Sequence, residues 1–129
     1  MLWNATYETG LPVVDAQHKE LFNQVDILLD ASKADRIDDT LKFLEGYVVK
    51  HFATEEGMQK QIAYAKQDEH KKAHADFIAT FKQLKNEYLA SGNSPIAAMK
   101  MTRVALNWLK EHIRGLDREF AKTYLAAQK

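Results

Sequence analysis

Apolar positions along the chain fall into four helical stripes, separated by short polar or glycine- and proline-bearing breaks. Gly10 and Pro12 interrupt any regular period in residues 1–14, whose aromatics Trp3 and Tyr7 predict an ordered arm packed on the body. Asp15 is the expected N-cap of the first helix. Behind it His18, Leu21, Phe22, Val25, Leu28 and Leu29 recur at the three- and four-residue spacing of one helical face. The polar run Lys33 to Asp38 is a connection, with Asp38 or Asp39 as the next N-cap. Leu41, Leu44, Val48, His51, Phe52, Glu55, Met58 and Ile62 form the second stripe. Gly46 and Gly57 interrupt it, each at about 1 kcal/mol relative to alanine, and Gly46 is expected to permit close helix packing. The register fails at Tyr64-Ala65-Lys66, where neither glycine nor proline marks the turn.

His70, His74, Phe77, Phe81, Leu84 and Tyr88 make the third stripe, which ends at Ser91-Gly92-Asn93 with Gly92 suited to the C′ position. Ser94-Pro95 restarts the chain as N-cap and first helical residue. The fourth helix buries Met101, Val104, Ala105, Trp108, Leu109 and His112, and Trp108 reads as core. Gly115 is expected to end or bend this helix, before a short terminal helix through Phe120, Tyr124 and Leu125. The pattern predicts an all-α fold, an up-down-up-down four-helix bundle with an N-terminal arm and a short C-terminal helix, built as one domain over residues 1–129.

Composition narrows the chemistry. Lys+Arg and Asp+Glu balance at 18 each, so no net positive charge is available for non-specific nucleic-acid binding. The absence of cysteine excludes iron–sulfur clusters, thiolate zinc sites and disulfides. No apolar run reaches membrane-spanning length, and the first residues lack the basic and apolar segments of a signal peptide. A cytoplasmic protein without membrane insertion is expected.

The histidines change the picture most. All five, His18, His51, His70, His74 and His112, sit on the apolar stripe of a helix. Buried polar groups are costly unless they share a task. In an up-down bundle the start of helix one, the end of helix two, the start of helix three and the end of helix four meet at one end. All five histidines therefore converge on one level. Glu55 follows His51 by one helical turn and joins that layer, and Asp117 lies close enough to His112 to fold back into it. Glu56 points off this face and reads as solvated or as a helper. Five imidazoles and two carboxylates are too many for tetrahedral zinc. Two six-coordinate irons sharing two carboxylates and one bridging oxygen offer six terminal positions, of which five histidines fill five. The remaining position, in a hard and imidazole-rich shell, suits iron that binds a small ligand.

Asp15 with His18, His51-Phe52 with Glu55-Glu56 and Met58, His70 and His74 with Phe77, and Trp108-Leu109 with His112-Ile113 and Asp117 together resemble the hemerythrins, in order and over essentially the whole chain. Trp3 also matches; Ala65 departs from the proline many members carry after the tyrosine. The resemblance implies a di-iron centre with an oxo or hydroxo bridge. In it one iron takes His70, His74 and His112, the other takes His18 and His51, and Glu55 and Asp117 bridge the two. It implies dioxygen as the ligand, bound reversibly at the open position by a carrier or store rather than an enzyme. Leu109, whose family equivalent borders the oxygen pocket, is expected to wall that position, flanked by Phe22 and Phe52. The alternatives at the same cluster are an oxygen- or redox-sensing module, nitric oxide or peroxide detoxification, and iron handling. A carboxylate-rich di-iron oxygenase is disfavoured, because the chain has no Glu-x-x-His pair.

Overall fold

The computed structural model of the protein describes residues 2–128. Helices α1 (Pro12–Leu29), α2 (Ile37–Gln61), α3 (Gln67–Ala90) and α4 (Pro95–His112) form the bundle. A π-helical turn (Ile113–Asp117) carries α4 directly into α5 (Arg118–Ala127). A 3₁₀ turn (Ala5–Tyr7) precedes α1, and a 3₁₀ stretch (Ala31–Arg36) links α1 to α2. There is no strand among the described residues. Helix α1 packs against α2 and α4, and α3 against α4 and α2, as in the predicted four-helix bundle. No described helix is long and apolar enough to cross a membrane.

Two helix starts differ from the sequence expectation. Helix α1 begins at Pro12, whose fixed φ and missing N–H suit the first helical position, so Asp15 lies inside the first turn and not at the N-cap. Its carboxylate reaches back to accept from the Thr9 N–H (2.9 Å), the Thr9 hydroxyl (2.8 Å) and the Gly10 N–H (3.2 Å). Helix α2 begins at Ile37 behind Arg36, because the 3₁₀ stretch runs straight into it; Asp38 and Asp39 sit in its first turn. There their charge faces the positive helix end, and Asp38 also accepts from the Tyr88 hydroxyl at 2.9 Å.

The remaining turns follow the sequence. The unmarked break falls at residues 62–66, where Ala63 takes a left-handed φ of 49° without help from glycine. At the next break Gly92 holds a φ of 76°, and the Ser94 side chain caps α4 by accepting from the N–H groups of Ile96 and Ala97. A Cβ on Gly46 would meet nothing within 4 Å, so this glycine mediates no close helix contact.

The core has two parts. The larger runs through the bundle and includes Phe22, Val25, Leu41, Phe52, Phe77, Met101, Leu109 and Ile113. The smaller closes one end, with Leu11, Val14, Tyr64, Phe120 and Ala121. Phe120 is fully buried, worth roughly 1.5–3 kcal/mol of apolar burial. Helix α5 thus serves as a plug over the end where the histidines gather. The arm is ordered and packs on the body as expected. Tyr7 lies 4.9 Å from the Phe22 ring, Arg114 stacks 4.6 Å over Tyr7, and Arg118 donates to the Thr6 carbonyl.

Candidate metal centre

The π turn solves a spacing problem. In an α-helix a residue five positions on faces well away from its predecessor, because a turn takes 3.6 residues. A π turn closes i to i+5 and brings the two onto one side. His112 and Asp117 stand five apart across such a turn, and their side chains meet, His112 Nε2 lying 3.0 Å from Asp117 Oδ1. Gly115 therefore does not end the helical run, one of the two outcomes the sequence had indicated; it sits within the π turn and the chain continues into α5.

All seven residues singled out in the sequence meet at one buried place, in two overlapping groups that both contain Glu55 and Asp117. In the first, Asp117 Oδ1 is 2.9 Å from His70 Nε2, and Glu55 Oε1 is 3.2 Å from His74 Nε2. The Nε2 atoms of His70 and His74 lie 3.0 Å and 3.2 Å from His112 Nε2. In the second, His18 Nε2 is 3.1 Å from Asp117 Oδ2 and 3.9 Å from Glu55 Oε2, and His51 Nε2 is 3.4 Å from Glu55 Oε1. Asp117 thus turns one oxygen to each group. Glu55 turns Oε2 to His18 while Oε1 faces both groups.

These close approaches fit a cation. The four carboxylate oxygens and both ring nitrogens of His18 are buried without a hydrogen-bond partner, a cost that a buried site tolerates only when something else satisfies them. His74 Nδ1 lies 2.9 Å from Glu56 Oε2, and a carboxylate only accepts, so that nitrogen carries the proton. His74 Nε2 is then a bare lone pair, aimed at a carboxylate oxygen and at another imidazole. Lone pairs converging in this way suit a metal ion between them. Neutral imidazole and carboxylate together are donors appropriate to iron or zinc.

Three outer partners hold the rings. Gln17 Oε1 accepts from His51 Nδ1 at 2.7 Å, while its Nε2 donates to the Thr54 hydroxyl, which donates in turn to the Lys50 carbonyl. The Gln59 amide meets His70 Nδ1 at 2.8 Å. The amide nitrogen faces Nδ1 and the amide oxygen is buried without a partner; exchanging the two by a half-turn of the amide lets the oxygen accept from Nδ1–H and leaves His70 Nε2 free for a metal. Glu56 completes the set on His74, which makes it a helper. Gln17 and Gln59 escaped the sequence reading. Gln59 continues the buried His51–Glu55 spacing by another four residues, a signal that could have found it; Gln17 precedes His18 and carries none.

A family model for the hemerythrin HHE cation binding domain matches residues 9–124. The chain belongs to the hemerythrin family. It is 33% identical to the myohemerythrin of Theromyzon tessulatum over 115 residues, 89% of this chain and 86% of that protein. The hemerythrin of Themiste dyscrita is 32% identical over the same shares of the two chains. The bacteriohemerythrin of Clostridium acetobutylicum is 29% identical over 126 residues, 92% of this chain and 97% of that protein.

Aromatic rings wall the centre of this hemerythrin domain. Phe52 stacks face to face on His74, with centroids 3.8 Å apart and planes 7° apart, and lies 5.8 Å from His51. It belongs more to the His70–His74–His112 group than to the His18–His51 group that it was expected to flank. Trp108 is half-buried and stacks on His112 at 4.2 Å, so it touches the site as well as the core. Leu109 and Phe22 are buried in the larger core alongside Phe52.

Burial and crowding set the protonation of the metal-free hemerythrin domain. Burial, then the neighbouring His18, pulls His51 down to about 3. Burial, then His70 and His112, pulls His74 down to about 2. Burial pushes Glu55 well above its ordinary value, and the nearby Asp117 adds to the rise. Burial acts on Asp117 in the same direction, but the imidazoles of His112, His18 and His70 outweigh it and hold Asp117 low. Between about 3 and the ordinary ~6.5, an unfolded His51 binds a proton that the folded one refuses, and His74 behaves alike. Stability therefore rises with pH across that window. Glu55 works in reverse: above 4.5 the unfolded side chain ionises while the folded one keeps its proton, so stability falls as pH rises. Two histidines outweigh one glutamate until they are spent, so the urea midpoint of the metal-free protein should peak near pH ~6.5. A bound cation favours the Glu55 carboxylate and should remove the alkaline decline. A midpoint that climbs steadily to pH 9 without metal would contradict this.

Proposed function

We propose that this chain is a di-iron protein that binds dioxygen reversibly, as a carrier or store, and that residues 1–129 act as one domain for that purpose. The observation that carries the reading is the pair of overlapping donor groups with both carboxylates in common. His70, His74 and His112 would hold one iron, His18 and His51 would hold the other, and Glu55 and Asp117 would serve both. The first group would give its iron three histidines and the second only two, so the second would keep a position open to a small ligand. Bound there, a pair of ferrous irons would supply the electrons that dioxygen takes up and gives back. The protein's task is to keep that exchange reversible. Leu109, one helical turn before His112, forms with Phe22 an apolar wall that excludes water and protons from the open position, while Phe52 covers the other group. Relatives named myohemerythrin, hemerythrin and bacteriohemerythrin support the reading.

The test is anaerobic reconstitution with ferrous iron, then oxygen titration followed optically. Wild type should gain a visible absorption band with oxygen and lose it on deoxygenation. Leu109→Asn should still bind, because no iron donor is lost, but should decay to the diferric form about tenfold faster, the effect of ~1.4 kcal/mol on the barrier. An oxygen-independent or irreversible spectrum in wild type would overturn the proposal. An unchanged lifetime in the variant would remove Leu109 from the wall.

A further inference from the structure

The three outer partners differ in charge. His51 and His70 lean on the neutral amides of Gln17 and Gln59, while His74 leans on the carboxylate of Glu56. Among the described residues no other carboxylate meets an Nδ1 of the five histidines. The helix explains how. Successive side chains on α2 turn by about 100°, so Glu55 faces the centre while Glu56 faces α3, where His74 arrives. Either kind of partner fixes a ring's tautomer and direction. The charged carboxylate draws harder on the Nδ1 proton than a neutral amide oxygen does, and so strengthens Nε2 more as a donor to a metal. One face of the His74 ring stacks on Phe52 at 3.8 Å, which resists tilting of the ring while its Nδ1 edge meets Glu56. In the other group, His18 has no partner on Nδ1 at all. Glu56 itself is 27% exposed, and the contact is built on the edge of the site and not within it.

We propose that Glu56 is a positioning residue that makes the His70–His74–His112 group the tighter of the two metal positions, so that this position fills first. The proposal rests on the reading that each donor group holds one metal ion. It makes the two positions unequal by more than the number of their histidines, and it gives Glu56 a role that needs no direct contact with the metal.

The probe is cobalt(II) titrated into metal-free protein, which needs neither iron nor dioxygen, so the result stands apart from the dioxygen reading. Wild type should bind in two resolved steps. Glu56→Gln keeps an acceptor for Nδ1 and removes the charge, and should weaken the tighter step by ~10–100-fold while leaving the looser step unchanged. Gln17→Leu should weaken the looser step alone. Nitrogen-15 spectra of the histidine rings in metal-free protein give a second readout. His74 should carry its proton on Nδ1 in wild type and in Glu56→Gln, and should show mixed tautomers in Glu56→Leu. The proposal is overturned if Glu56→Gln leaves the tighter step unchanged or weakens both steps equally, or if His74 keeps one tautomer in Glu56→Leu.

Discussion

Glu55→Ala is expected to reduce bound iron from about two ions per chain to below one, because metal-site folding energy depends on a complete set of deprotonated donors. The Glu55 carboxylate is fully buried, with oxygens 3.2 Å from His74, 3.4 Å from His51 and 3.9 Å from His18. It is common to both donor groups. Without it, two cations would face one carboxylate in a dry interior, and the uncompensated charge is what such a site tolerates least. The same substitution acts in the opposite sense on the metal-free protein. There the buried carboxyl is a burden, since burial and Asp117 both resist its ionisation. The metal-free melting temperature at pH 8 should therefore hold or rise, while the stabilisation by added iron disappears. Elemental analysis and paired melting curves with and without iron measure both halves. Retention of iron in Glu55→Ala, with its loss in Glu56→Ala, would mean that the inward register of α2 has been misassigned.

The second large effect separates the two groups. His51→Ala leaves His18 as the lone imidazole of its group, and dioxygen affinity should fall by at least ~100-fold, about 2.7 kcal/mol. His112→Ala leaves His70, His74 and both carboxylates in place and should retain dioxygen binding if the metal stays. It should also open a new position to outside ligands. His112 is the most exposed of the seven at 6%, and borders a surface hollow of about 370 Å³ lined by Trp108, Glu111, Gly115 and Leu116. Azide titration of the diferric variant, followed optically, should show a second ligand bound per centre. Loss of dioxygen binding in His112→Ala with full iron content, and its survival in His51→Ala, would reverse the assignment of the two irons.

Much of this was legible in the sequence for simple reasons. Five histidines on apolar stripes can be buried only if something uses them, and antiparallel helices bring the ends of those stripes together. Gly92 and Ser94-Pro95 marked their turn because their backbone chemistry has few other uses. The parts that were not legible depend on geometry that composition does not encode. Pro12 started α1 ahead of Asp15, since a fixed φ needs no capping side chain. The 3₁₀ stretch merged with α2 and displaced the cap expected at Asp38 or Asp39. Gly115 reads as a breaker in any α-helical register; a π turn absorbs it and uses the extra residue to bring Asp117 beside His112. Phe52 neighbours His51 along the chain, yet its ring lies flat on His74 across the helix interface. Gln17 could not be foreseen, because its role depends on Thr54 holding the amide the right way round.

The central claim is that two metal ions share Glu55 and Asp117. Anomalous diffraction from crystals of the iron-loaded protein, collected at the iron edge, tests it most directly. Two peaks per chain are predicted, one among His70, His74 and His112 and the other beside His18 and His51, each in contact with both carboxylates. A single peak, or two peaks of which one lacks Glu55 or Asp117, would contradict the account.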